Sequence, residues 1–467
     1  MLTRTANGDS RLSFWLRVRQ FAVPPSMIET ATARRRVGDW AGACSAAGID
    51  VDLGLRAVAR THGQELAAQI RTDLRHLVPD LLRWHMPRIA PDGLLRPGLT
   101  LSLARYPSKG RDGEDAIHLV VRTAPAWADA GQRISLALWD GSRSEPGACR
   151  HPHPRPNRRF RLDLHRHLWD ARRTGELRIR SGADRPPGDD RPEPDPELLG
   201  TLPQGRACAV DRWAAEAGIL LRAEGLPTGG VAVRLGGRHR LLLELPAHED
   251  GTGSPDLRIA TASAAGEAAA LPVLPDAATW VLPDLELIRA GAIEAHRLHP
   301  LVAPALVPDS PPSGPPRVPD PAGQPRFVEC RGVRHRIGLV DGVLVPLDHD
   351  PAEIRREELL AALTGTPLPC LQAIDEAHRR PDCLVGVRER LVHGDTAGAL
   401  AVVEGLLGPE AVLRDGALRD ELEAAALRRI TYGLYRAGLI GPGPDRIRPD
   451  RRRSGGRRSH PRHASLH

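Results

Sequence analysis

The stretch CRHPHPRPNRRFRLDLHRHLWD, residues 149–170, places one cysteine and four histidines within nineteen positions. Thiolate and imidazole are the donors zinc prefers, provided they converge on one point. Cys149, His151 and His153 alternate, and on a β-strand residues i and i+2 share a face. Pro152, Pro154 and Pro156 alternate with them, however. These prolines oppose ladder pairing and favour a path of three residues per turn, which turns i and i+2 apart. Asp163, His165 and His167 pose a second choice. As a strand, FRLDLHRHLW lines them up on one polar face, with Asp170 nearby. As a helix, Asp163 caps DLHRHLWDARRTG, Leu164, Leu168 and Ala171 face the core, and the two histidines lie ~200° apart. The helix accounts for more residues and lets Thr174-Gly175 stop it before a strand at ELRIR. Residues 149–170 are therefore read as a loop followed by a short helix. The rival reading is a metal-dependent hydrolase, with Asp163, His165 and His167 as zinc ligands and Cys149, His151 or His153 completing the set. His335 and His349 flank a later hairpin and could meet Cys330, a third and weaker arrangement.

Other catalytic templates are missing. The chain has no GxSxG, HExxH, GxGxxG or SxxK pattern. AHEDGTG at 247–253 begins like a zincin but lacks the second histidine. Of 65 basic residues only Lys109 is a lysine, and YPSKGRDG is not a phosphate loop. Nor does that loop-like setting suit a Schiff-base lysine. No catalytic or cofactor-binding residue is assigned, and the expectation is a non-catalytic interaction or scaffold protein with a protein or peptide partner.

Around these residues the chain divides by pattern. Residues 1–25 form an extension. Residues 26–96 read as a helical domain: Ser26 and Glu29 have capping-box spacing, and Leu66, Ile70, Leu74, Leu77 and Leu81 recur on one face, with Pro79 able to kink or restart the helix. From residue 97 to 306 the period falls to two, in Leu99–Leu103, Ile134–Leu138, Val231–Leu235 and Leu241–Leu245, as in antiparallel strands of a sandwich-like region. Residues 184–197 are a polar loop within it. Residues 307–325 are a proline-rich linker. Residues 326–440 begin with a hairpin whose Asp341-Gly342 turn pairs Leu339 with Leu344. A helix follows, with Asp350 as cap, Pro351 at its first position and Gly365 past its end. The fold class is α+β: a helical N-terminal domain, a β-rich middle and a hairpin-plus-helices C-terminal domain.

One pattern occurs twice. RRRVGDWAGAC at 34–44 and ERLVHGDTAGAL at 389–400 both contain Gly-Asp-x-Ala-Gly-Ala between helix-like runs. Gly38, Asp39, Trp40 and Ala43 resemble the turn of a tetratricopeptide-repeat hairpin. Gly394, Asp395 and Ala399 fit it too, with Thr396 in place of the aromatic. The resemblance covers one unit at each end, about 27–47 and 382–408, and implies helical surfaces for peptide or protein partners.

The net charge of +7 is local. Residues 441–467 hold eight arginines and two aspartates, +6, leaving +1 for the rest. The segment reads as a disordered Arg-rich tail able to hold nucleic acid weakly and without sequence preference. The six cysteines show no CxxC spacing, as expected for free thiols in a cytoplasmic protein. No leader is visible, and no stretch nears the ~18 apolar residues a membrane helix needs.

Overall fold

A computed structural model describes residues 11–107, 116–128, 131–141, 151–184, 202–203, 206–226, 228–236, 239–245, 258–261, 270–308, 326–365 and 367–441. The chain splits into two compact units. Unit 1 comprises residues 1–127, 133–312 and 442–467, and unit 2 residues 128–132 and 313–441. The fold is mixed α+β, with several small, largely antiparallel sheets and helices towards both ends.

In unit 1 helices α1 (Pro25–Arg36) and α2 (Trp40–Ala46) form a hairpin. Ser26 is not the expected cap. Pro25 occupies the first turn, where its missing N–H costs nothing, and Pro24 is the cap, so α1 starts two residues earlier. Strand β1 (Ile49–Val51) is followed by α3 (Leu55–His62), α4 (Gln64–His76) and α5 (Pro79–Trp84). Pro79 restarts the helix after Leu77 and Val78 leave it. The first sheet contains β2 (Thr100–Tyr106), β3 (Ile117–Thr123) and β4 (Ile134–Trp139), in the order β1-β4-β3-β2. β1 runs parallel to β4, and Ile49 pairs with Ile134. Every residue of β3 is buried, so helices or loops cover both of its faces. Leu101, Leu103, Leu119 and Leu136 share one core with Ile70, Leu74, Leu81 and Leu82 of the helices.

The segment 163–173 is not the continuous helix expected. It makes a 3-10 turn at Arg166–Leu168 and another begins at Thr174. Asp163 does not cap it, because its carboxylate is taken by Arg161 at 2.9 Å. ELRIR is not a strand: Leu177–Ser181 form a short helix, α6, with Leu177 buried and Ile179 exposed. Helix α7 (Val210–Ala223) then backs the meander β5 (Gly229–Arg234), β6 (Arg240–Leu245) and β7 (Arg258–Thr261). Trp213, Leu220 and Leu221 share its core with Val231, Val233, Leu241 and Leu243. Helix α8 (Pro283–Arg289) returns to the first core through Leu285 and Leu287. The polar loop at 185–197, the linker from 309 to 325 and the Arg-rich tail from 442 lie outside the described residues.

Unit 2 opens with a meander, β8 (Arg326–Cys330), β9 (Val333–Val340) and β10 (Val343–Pro346). Asp341 and Gly342 have φ of 52° and 77°, and Leu339 pairs with Leu344. Arg331-Gly332 makes a second such turn, with φ of 55° and 77°. Helix α9 (Pro351–Thr364) is capped by Asp350, whose Oδ1 accepts from Ala352 N at 2.8 Å, and Gly365 ends it at φ 74°. Helices α10 (Pro369–Arg379), α11 (Leu384–Val392), α12 (Thr396–Leu407) and α13 (Ala417–Arg436) complete the unit.

The repeated pattern has a local cause. Asp39 and Asp395 each cap a helix through the amide of the glycine three residues on, at 2.8 and 2.9 Å. Arg34 and Arg390, each five residues before its aspartate, hold the carboxylate at 3.2 and 2.7 Å. A Cβ on Gly42 or Gly398 would run into that carboxylate. Gly38 and Gly394 end the preceding helices at φ 76° and 84°. Gly-Asp-x-Ala-Gly is thus one stop-and-cap unit used twice.

Candidate functional site

The residues singled out at 151–170 are drawn into the polar core of unit 1. Cys149 lies outside the described residues. His151 is buried. Its Nε2 donates to the Thr123 carbonyl at 2.9 Å, and its Nδ1 accepts from the His153 amide at 3.2 Å. Burial lowers its pKa, which suits a neutral ring with both nitrogens engaged. The His153 side chain is exposed, and its carbonyl accepts from Thr100 Oγ1 at 2.6 Å. Asp163 is held by the Arg161 fork, as above.

The irregular backbone at 163–168 brings His165 and His167 together, instead of the opposite sides a helix requires. Their ring centroids lie 5.7 Å apart. His165 Nδ1 donates to the Arg161 carbonyl at 2.9 Å, and its Nε2 lies 3.2 Å from Glu216 Oε2. Both nitrogens therefore face acceptors. Burial works to raise the Glu216 pKa, but His165 and Arg180 outweigh it and hold the carboxylate at about 2. Burial, with His165 and Arg180 nearby, holds His167 well below the usual histidine range. Asp170 is fully buried and receives Arg172 Nη2 at 2.8 Å and Arg166 Nη2 at 2.9 Å. Asp170 with its two arginines, and Glu216 with Arg180 and His165, form a structural network of side chains, while the buried His167 Nδ1 has no hydrogen-bond partner among the described residues.

A second buried pair escaped the sequence reading. Asp80 Oδ2 lies 2.9 Å from His299 Nε2, beside a small cavity also lined by Arg19, Trp84 and Asp284. An Asp–His pair can orient a general base. Here His299 Nδ1 accepts from the Leu301 amide at 3.1 Å, so Nε2 carries the proton that faces Asp80. No lone pair remains to take a proton from a substrate. Asp284 is likewise engaged, by Arg19 at 3.1 Å and Trp84 Nε1 at 2.7 Å.

Unit 2 carries a different kind of site. Cys330 ends β8, His349 lies in the loop after β10, and Cys370 sits in the first turn of α10. Among the described residues they are the one group of three or more His, Cys, Asp and Glu side chains whose ligand atoms all lie within 4.8 Å of one another. Cys370 Sγ is 3.4 Å from His349 Nε2. The loop is pinned by Asp348, which accepts from the Arg336 amide at 2.7 Å and from its guanidinium at 2.7 Å. Arg336 accordingly holds the Asp348 carboxyl down at about 2. Both cysteines are fully buried, with Val328, Ile354, Leu368 and Leu371 around them. Burial, then the neighbouring Cys330, pushes the Cys370 thiol up to about 11. Such a set of two sulfurs and one imidazole could hold a metal ion. The sequence reading had His349 and Cys330 but not Cys370. Its only local signal is a cysteine following Pro369 at a helix start, which points to no partner.

No family model matches this chain, and no curated protein or solved structure shows a significant match to it. The residues alone therefore carry the functional argument. Among the described residues no helix is long and apolar enough to cross a membrane.

Proposed function

We propose that this chain is a non-catalytic interaction protein, whose unit 2 presents an apolar helical surface to a protein or peptide partner. The observation that carries this reading is α9, which buries none of its residues and leaves Leu359, Leu360 and Leu363 at 65%, 49% and 86% exposure. A well-capped, fourteen-residue helix with leucines turned to water forgoes roughly 1.5–3 kcal/mol for each fully burial-competent side chain. A partner's apolar face recovers that energy. Helix α13 adds a second stripe, Leu427, Ile430 and Leu434, at helical spacing. The likeness of the two Gly-Asp hairpins to tetratricopeptide units supports the same reading. The free cysteines at 44, 208, 330, 370 and 383 are consistent with a reducing, cytoplasmic setting. A hydrolase built on residues 151–167 finds less support, because the nitrogens of His151 and His165 already face protein partners.

The test is affinity capture with the full chain and with a Leu359→Glu, Leu363→Glu variant, followed by titration of the purified partner. The expected result is one partner that binds directly and is lost in the variant. A partner retained at unchanged affinity, or none that binds directly, refutes the reading.

A further inference from the structure

We infer that Cys330, His349 and Cys370 form a zinc site that clips together the three segments opening unit 2. The argument begins with geometry. Zinc bonds sulfur at about 2.3 Å and imidazole nitrogen at about 2.1 Å in a tetrahedral array, so bound sulfur and nitrogen stand about 3.6 Å apart. The present 3.4 Å between Cys370 Sγ and His349 Nε2 is already close to that spacing. All three ligand atoms fall within 4.8 Å, so a small closure brings them onto one ion.

The surroundings fit the same assignment. His349 offers Nε2 to the site, while its Nδ1 lies 3.8 Å from Glu353 Oε2. At that distance Glu353 makes no hydrogen bond to the ring, but it is the carboxylate placed to take one up behind a ligating histidine. The backbone is stiff at each donor: Cys330 precedes the Arg331-Gly332 turn, Asp348 anchors the loop at His349, and Cys370 follows Pro369 in a helix. Two thiolates and one imidazole select a borderline-soft ion over magnesium or calcium, which prefer oxygen. His335 stacks on His349, with centroids 4.1 Å apart and planes 14° from parallel. Imidazole lone pairs lie in the ring plane, so two stacked rings cannot aim at one ion. The assignment is therefore three protein ligands, with His335 as packing. Three protein ligands leave the fourth tetrahedral position to a water, as in catalytic zinc sites, but both cysteines are fully buried, which denies a substrate the approach such a site needs. The ion's role is structural.

Full-length chain purified under reducing conditions, without a metal-binding tag, should contain one zinc per chain by elemental analysis. Cobalt(II) exchanged into the site should give the charge-transfer absorption of thiolate ligation. Cys330→Ser, Cys370→Ser and His349→Ala should each remove the metal, while Cys383→Ser and His335→Ala should retain it. Chelation should weaken the far-ultraviolet dichroism transition of unit 2 and leave tryptophan emission unchanged, since all eight tryptophans lie in residues 15–280 of unit 1. The cobalt spectrum of the unaltered chain keeps the test independent of whether a variant folds. The assignment is overturned by a chain that neither contains zinc nor takes up added zinc or cobalt with thiolate absorption. Metal that survives loss of both cysteines, metal lost with His335, or a Cys330–Cys370 disulfide in place of metal overturns it equally.

Discussion

Replacing Asp170 by alanine tests whether the histidine-rich stretch is a structural hub. Its carboxylate is fully buried and accepts four guanidinium hydrogen bonds from Arg166 and Arg172, at 2.8–3.2 Å, plus the Arg172 amide at 3.0 Å. Asp73 of α4 shares both arginines and accepts from Tyr106 Oη of β2 at 2.7 Å. The network thus joins a helix, a strand and the 166–172 segment. That segment also meets the end of α4 and the residues just after it, through backbone bonds from Ala171 to His76, at 2.9 Å, and from Val78 to Trp169, at 2.7 Å. Removing one partner of a buried ion pair costs about 3–5 kcal/mol. Here the Arg172 and Arg166 side chains are 38% and 26% exposed and keep Asp73, so water and the second carboxylate reduce the loss. The expected cost is about 2–3 kcal/mol for Asp170→Ala and roughly half that for Asp170→Asn, which keeps the shape without the charge. Tryptophan emission reads unit 1 alone. With a urea slope of about 2–3 kcal/mol/M, the alanine variant lowers the midpoint by about 1 M. A double-mutant cycle with Asp73→Asn should show coupling above about 0.5 kcal/mol. A midpoint unchanged in Asp170→Ala, or strict additivity with Asp73, refutes the hub.

Acid should weaken unit 1 before its carboxylates titrate. His85 and His118 are lowered to about 4, chiefly by burial; Asp284 opposes the shift at His85, and Arg105 adds to it at His118. Between pH 6.5 and 4 the unfolded chain binds protons the folded chain refuses, so stability falls with pH. From pH 7.5 to 5 each contributes a loss of about 2 kcal/mol. Urea midpoints by tryptophan emission should fall accordingly, less steeply in His118→Gln, and a flat profile contradicts the buried neutral rings. Gly398→Ala should destabilise unit 2 by about 1 kcal/mol, because its Cβ displaces the Asp395 cap. Helix propensity alone predicts a gain of similar size. The sign of the shift in the thermal dichroism transition therefore decides.

What was legible in the sequence is what local chemistry determines. Asp341-Gly342, the Asp350–Gly365 boundaries of α9 and the two Gly-Asp turns each depend on residues within a few positions, and each is found where the pattern put it. The misreadings have causes outside the pattern that was read, and most of them are distant in sequence. Asp163 looked like a helix cap, but Arg161 holds it, and Arg161 also reaches Glu224 at 2.6 Å. ELRIR, placed after the Thr174-Gly175 stop, reads as a strand. The segment coils because Leu177 joins the core while Arg180 turns to Glu216, at 2.6 Å, and to the Leu164 carbonyl. The parallel pairing of β1 with β4 joins residues 49–51 to 134–136 and leaves no mark on either segment alone.

The same distinction separates the two clusters of candidate ligands. Density in sequence drew attention to residues 149–170, yet adjacent polar side chains in a buried stretch must satisfy one another or nearby backbone, because unpaired polar groups are costly there. The imidazoles of His151 and His165 are engaged by that requirement. A thiol makes only weak hydrogen bonds, so burial places no comparable demand on Cys330 and Cys370. They remain available to an ion, and they meet His349 only because a strand end, an anchored loop and a helix start are brought to one place. Availability follows from donor chemistry and convergence follows from topology. Only the donor chemistry can be read along the chain, so the better candidate for a metal site is the one the sequence makes less conspicuous.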